Sequence, residues 1–103
     1  MTRVTYDPAA MRMSIEGHAG AGEPGHDLVC AAASILMLTM EAALRELGWW
    51  EQVSILKKPG MAEFSCCPGK KRMEQSREIF ALIFLGYQTL EGICPGYVKT
   101  FIA

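Results

Sequence analysis

The chain has 103 residues, half of them hydrophobic, and 10 basic against 11 acidic side chains leave a formal net charge of −1. That length supports one modest core and not two, so residues 1–103 read as a single domain, and the apolar content is too high for a disordered chain. A near-neutral charge excludes binding by bulk electrostatics. The one basic cluster, Lys70-Lys71-Arg72, reads as the solvated start of a helix, and no direct nucleic-acid partner is expected.

The N-terminus, Met1 to Asp7, contains no signal-peptide apolar region. The longest apolar run, Leu28 to Met40, is interrupted by Cys30, Ser34 and Thr39 and falls short of the roughly 20 residues a bilayer requires. It reads as a buried helix, with no membrane partner. The chain has four cysteines, at 30, 66, 67 and 94. In a chain without a secretory segment they imply free thiols in a reducing cytoplasm. Cys66 and Cys67 are adjacent and no C-x-x-C pair occurs, so neither a structural zinc site nor a cofactor is expected.

Arg3 to Tyr6 and Met11 to Gly17 read as two strands joined by the turn chemistry of Asp7-Pro8. The second alternates, with Met11, Met13 and Ile15 on one face and Arg12, Ser14 and Glu16 on the other. Ala19 to Gly25, with three glycines and a proline, is a loop. A helix follows from Leu28 to about Leu47 and stops at Gly48, a natural residue to end it; Trp49-Trp50 after it read as a core-plus-rim pair. Gln52 to Lys57 and Met61 to Cys66 pair around Pro59-Gly60. If the strand persists, one of Cys66 and Cys67 points inward and the other outward. From Arg72 to about Gly92 the pattern is helical, with Ile79, Phe80, Ile83, Phe84, Tyr87 and Leu90 along a broad face. Leu82 and Leu85 widen that face beyond what one sheet covers, which marks either a subunit interface or a deep core. Pro95-Gly96 precedes a last strand, Tyr97 to Ile102. The order ββαββαβ predicts an α+β fold, a mostly antiparallel sheet of about five strands with two helices on one face.

Chemistry concentrates between Gly17 and Ser34. Asp27 is suited to cap the first helix, since its carboxylate accepts a free backbone N–H two or three residues on. Cys30 then sits in the first turn, beside unpaired amides and the positive end of the helix dipole, which favour thiolate over thiol. His18 precedes it across a loop long enough to fold back. A base, a glycine-rich loop and a thiol at a helix start read as a Cys-His nucleophilic pair. Backbone N–H groups at the helix start, that of Cys30 included, are the expected oxyanion donors. Gly17, Gly20, Gly22 and Gly25 supply the freedom of a lid that orders over a peptide. Ser34, one turn after Cys30, either supports the thiol's surroundings or bonds the carbonyl four residues back. Other readings of these residues remain. His18, His26 and Cys30 could together hold zinc, and Cys30 could pair with Cys66 or Cys67 in a redox sensor, although no close resolving spacing exists.

The pattern G-H-A-G, a short spacer, then G-H-D-L-V-C-A-A-A-S, from Gly17 to Ser34, resembles the ribosomal-processing cysteine proteases called Prp. The resemblance is dense over those residues and extends more weakly, in length and element order, over the rest. It implies that Cys30 is the catalytic cysteine, His18 the catalytic histidine, and Asp27 and Ser34 supporting residues. It implies the same class of fold, a homodimer, and a cytoplasmic endopeptidase. The implied substrate is the N-terminal extension of large-subunit ribosomal protein twenty-seven, cut after an apolar, often aromatic, residue during ribosome maturation. Cys66, Cys67 and Cys94 match no family catalytic position. The chain departs from the family at Ala21, where a tyrosine is common, and Pro24 stiffens the end of the loop. The competing functions are a ribosome-associated module that binds the peptide without cutting it, and a related protease acting on a phage or other precursor.

Overall fold

Thr2, Val4 and Tyr6 alternate with Arg3, Thr5 and Asp7, and the chain pleats accordingly into β1 (Thr2–Asp7), the first set buried and the second turned outward. The Asp7 carboxylate accepts the Ala10 N–H at 3.1 Å and closes the turn, a local side-chain to backbone bond of the kind that favours Asp in turns. Met11 belongs to that turn rather than to the next strand. Its φ of 51° is left-handed, so β2 begins one residue later than the alternation suggests (Arg12–Glu16), although Met11 itself is buried. The computed structural model describes residues 1–18, 20, 22, 27–46, 53–67, 69 and 72–103. Ala21, Pro24, Gly25, His26, Gly48, Trp49-Trp50 and Lys70-Lys71 lie outside them.

Helix α1 (Leu28–Glu46), strands β3 (Val53–Lys58) and β4 (Met61–Cys66), helix α2 (Met73–Ile93) and strand β5 (Val98–Ile102) complete the expected order. The sheet order is β3-β4-β2-β1-β5, with β2 at the centre. Three pairings are antiparallel and one, β1 with β5, is parallel. The register stacks Val4, Ile15 and Ala62 across one face, and Tyr6, Met13 and Phe64 beside them. Both helices cover that face. Ala33, Met40 and Leu44 of α1 and Phe80, Ile83, Phe84 and Tyr87 of α2 close one core with these strand residues. Tyr6 stacks on Phe80 at 6.1 Å between ring centroids and tilts against Phe84 at 5.3 Å, separations at which aromatic pairs attract.

The helices touch closely because Gly86 has no side chain. A Cβ there would stand 2.6 Å from Leu36 Cδ2. Next to it the buried Tyr87 hydroxyl donates to the Ala33 carbonyl at 2.8 Å, binding α2 to α1. Leu82 and Leu85 point away from the core and are 67% and 56% exposed. By length and composition α1 is apolar enough to cross a membrane, yet Val29, Ala33, Met40 and Leu44 form a stripe that is buried inside the protein. The outer face of the sheet carries charge, including an Arg12–Glu63 ion pair at 3.3 Å between neighbouring strands.

Candidate active site

Asp27 starts α1 as its sequence position predicts. One carboxylate oxygen accepts the Cys30 N–H at 2.9 Å, and the Asp27 carbonyl accepts the Ala31 N–H at 3.0 Å. Val29, in the same turn, is buried against Val98 of β5. Cap and anchor together settle the rotation of the first turn and leave Cys30 partly exposed on its other side. The bond from Cys30 corrects one expectation. Its amide is taken by the Asp27 carboxylate and is not free to hold an oxyanion.

His18 leaves the other end of the site. Strand β2 ends at Glu16, and Gly17 turns the chain with φ 87°, its N–H donating to the Gly60 carbonyl at 2.8 Å. A Cβ at Gly17 would overlap the Met1 carbonyl oxygen, so only glycine fits this close approach. The exposed His18 imidazole then lies over Gly60.

The His18 and Cys30 side chains share a groove. An inner cavity of about 200 Å³ is lined by His18, Cys30 and Ser34 together with Ile15, Ala33, Met37 and Ala62. A second hollow of about 620 Å³ continues past the same His18, Cys30 and Ser34 to Gly20, Gly22, Asp27 and Ala31. Small residues line the inner part where α1 meets β2 and β4, so the two layers leave room there. The structure thus brings His18, Asp27, Cys30 and Ser34 together with Gly17, Gly20 and Gly22; Gly25 and His26 lie outside the described residues. Thr39 and Thr89 bond the carbonyls four residues back at 2.6 and 2.8 Å. Ser34 makes no such bond among the described residues, which leaves its hydroxyl to the groove.

The sequence reading missed the contribution of the β3–β4 hairpin. Lys57, Lys58, Gly60 and Met61 all line the inner cavity, because β4 pairs with β2 and carries its turn beside His18. Lys57-Lys58-Pro59-Gly60 signals a turn by itself and says nothing of where the turn lands. Lys57 is drawn back to Glu41 of α1 at 2.8 Å, and Glu41 also holds Arg45 at 2.9 Å. The hydrogen bond from Lys57 above all, and then the nearby positive charges, hold the Glu41 carboxyl below the usual carboxylate range against an opposing effect of burial.

The remaining thiols are set apart by burial. Cys66 faces inward against Ser76, sulfur to hydroxyl oxygen 3.8 Å, and Cys67 faces out, as strand alternation requires. Burial pushes the Cys66 thiol up from its ordinary range, partly offset by Ser76. Among the described residues no group of three or more His, Cys, Asp or Glu side chains stands close enough to hold a metal ion.

A sequence profile of the family described as cysteine protease Prp matches residues 1–99. The chain belongs to the Prp family of cysteine proteases. It is therefore a peptide hydrolase, and the Prp fold is the one described above. One similar solved structure is the ribosomal processing protease Prp from S. aureus with a covalently linked product peptide. It is 21% identical, covers 100% of both chains and superposes with a TM-score of 0.85. The same protease with a substrate peptide gives 0.74 at 19% identity, over 99% of this chain and 97% of that one. A Streptococcus mutans protein, SMU.848, gives 0.68 at 24% identity, over 98% and 90%. No curated protein sequence matches the chain.

Proposed function

We propose that this Prp-family chain is a cytoplasmic endopeptidase in which Cys30 is the nucleophile and His18 its general base and acid. The observation that carries the reading is the shared groove. Residues from the end of β2 and the first turn of α1 line one cavity, with Ser34 beside them. His18 takes the proton of the Cys30 thiol as sulfur bonds to the peptide carbonyl carbon. The tetrahedral oxyanion forms beside the first turn of α1, at the positive end of the helix dipole. On collapse the C–N bond breaks and His18 returns the proton to the departing amine. Water, deprotonated by His18, then cleaves the thioester and frees the acid and the thiol. Asp27 holds the first turn in place, and Gly17, Gly20 and Gly22 border the path of the peptide. No cofactor takes part.

The substrate we assign is the N-terminal extension of large-subunit ribosomal protein twenty-seven. Two of the similar structures are named as ribosomal processing proteases, one with a substrate peptide and one with a product peptide. An apolar cavity of about 150 Å³ is enough to hold benzene, so the inner cavity of about 200 Å³ suits an aromatic side chain before the cut. A homodimer joined through α2 would cover Leu82 and Leu85, which the core leaves exposed. Light scattering of wild type and Leu82→Glu tests it, the variant running as a monomer.

The deciding experiment is mass spectrometry of wild type and Cys30→Ala, each incubated with a peptide spanning the host ribosomal protein's extension. Cleavage by wild type alone supports both nucleophile and substrate. No cleavage, with Cys30 alkylated ahead of the raised, buried Cys66 thiol, points to another precursor. Binding without product from fresh reduced protein refutes the endopeptidase reading of this peptide.

A further inference from the structure

Gly60 is where the β3–β4 hairpin faces the His18 side chain. Three facts meet there. Its carbonyl accepts the Gly17 N–H at 2.8 Å, tying the residue before His18 to the turn. Its position for a Cβ lies 3.3 Å from His18 Nε2 and 3.9 Å from both Cδ2 and Cε1. Its φ is 74°. The imidazole therefore stands across the space a side chain at Gly60 would fill, its Nε2 corner nearest and flanked evenly by the two carbons.

We infer that Gly60 is a positioning residue for His18, the absent side chain forming the seat that holds the imidazole within the groove it shares with Cys30. The inference rests on His18 acting with Cys30, as proposed above. The turn favours glycine at a left-handed φ that asparagine also adopts, so the contact can be separated from the turn. What a Cβ meets is the imidazole. At 3.3 Å the contact is tighter than ordinary van der Waals distance, so the ring must yield by a few tenths of an ångström. His18 is exposed, so the ring can swing away without unpacking the core. The cost therefore falls on proton transfer more than on folding. Misplacement by about 1 Å can cost about a hundredfold in rate. A shift of a few tenths predicts a fall of roughly threefold to tenfold in kcat with KM unchanged.

The test compares wild type, Gly60→Ala, Gly60→Asn, Gly96→Ala and His18→Ala as full chains. Gly96 has φ 91° and nothing within 4 Å of its Cβ position, so its alanine variant carries the backbone strain without the contact. Two readouts are used: kcat and KM on the cleaved peptide, and the rate at which iodoacetamide alkylates Cys30 from about pH 5 to pH 9, followed by peptide mapping. The expected result is that both Gly60 variants lower kcat and move the alkylation profile toward that of His18→Ala, while Gly96→Ala keeps the wild-type profile. Asparagine tolerates the turn, so Gly60→Asn decides the matter if Gly60→Ala fails to fold. A Gly60→Asn profile and kcat equal to wild type overturn the inference and leave the dyad standing. A His18→Ala profile and rate equal to wild type overturn the dyad itself.

Discussion

Replacing Asp27 by alanine separates what that residue does for the fold from what it does for the thiol. The carboxylate bonds the Cys30 amide at 2.9 Å, and loss of such a cap costs about 1 kcal/mol, within a range of about 0.5–2. For a domain of this size about 1 kcal/mol corresponds to a fall of roughly 4–8 °C in Tm. Asparagine keeps an acceptor at the same place and caps as well as aspartate. It forgoes the attraction of a full charge to the helix dipole, about 0.3–1 kcal/mol. The expected order of Tm is therefore wild type, then Asp27→Asn, then Asp27→Ala, followed by circular dichroism at the helical band. Activity measured well below both transitions should fall in the same order, because fraying of the first turn moves the Cys30 sulfur. An Asp27→Ala transition within a degree of wild type would refute the cap as the anchor of the site. A loss well above about 2 kcal/mol would show that Asp27 carries more than a cap.

Two further substitutions probe the frame around the groove. Tyr87→Phe removes the hydroxyl that bridges α2 to the Ala33 carbonyl and should lower stability by about 0.5–1.5 kcal/mol; urea unfolding with an unchanged midpoint would show that the bridge is idle. Burial also pushes the Tyr87 phenol far above its ordinary range, so above about pH 10 the unfolded chain ionises there and the native one does not. Stability from this residue falls with rising pH, and Tyr87→Phe should blunt that alkaline loss. Glu41 works in the opposite direction. Its folded carboxyl is held low chiefly by the Lys57 hydrogen bond, so its contribution is full above the unfolded value of about 4.3 and is lost as pH falls through the folded one. Lys57 and Arg45 are 45% and 65% exposed, which limits the pair to about 1 kcal/mol or less at neutral pH. Glu41→Gln should be less stable than wild type at pH 7 and converge with it in acid. A gap that stays constant across that range would refute the linkage.

The elements were legible wherever the signal is local. Asp27 before an apolar run, Pro59-Gly60 between alternating segments, and the Phe80–Ile83–Phe84–Tyr87 stripe each specify a cap, a turn or a buried face through neighbours a few residues away. Met11 marks the limit: its apolar side chain continued the alternation of β2, but the backbone had already turned, and the core reached it from within the turn. The pair His18 and Cys30 was legible as chemistry and not as geometry, because the loop between them leaves their separation open. The oxyanion assignment to the Cys30 amide failed for a related reason. One carboxylate oxygen can satisfy either of two amides in a first turn, and only the folded cap decides which.

What the sequence determined by itself is the class of fold, the order ββαββαβ and the cap at Asp27, with the candidates for the site, since each follows from propensity, periodicity or side-chain chemistry along a short stretch of chain. What only the tertiary structure decided is where those pieces meet. The pairing of β4 with β2 carries Gly60 to His18, the parallel pairing of β5 with β1 places Val98 beneath the first turn of α1, and the small residues between layers open the groove. Those contacts join residues far apart in the chain. Their energies arise from burying one face of a sheet under two helices at once, and no local window contains both sides of that interaction.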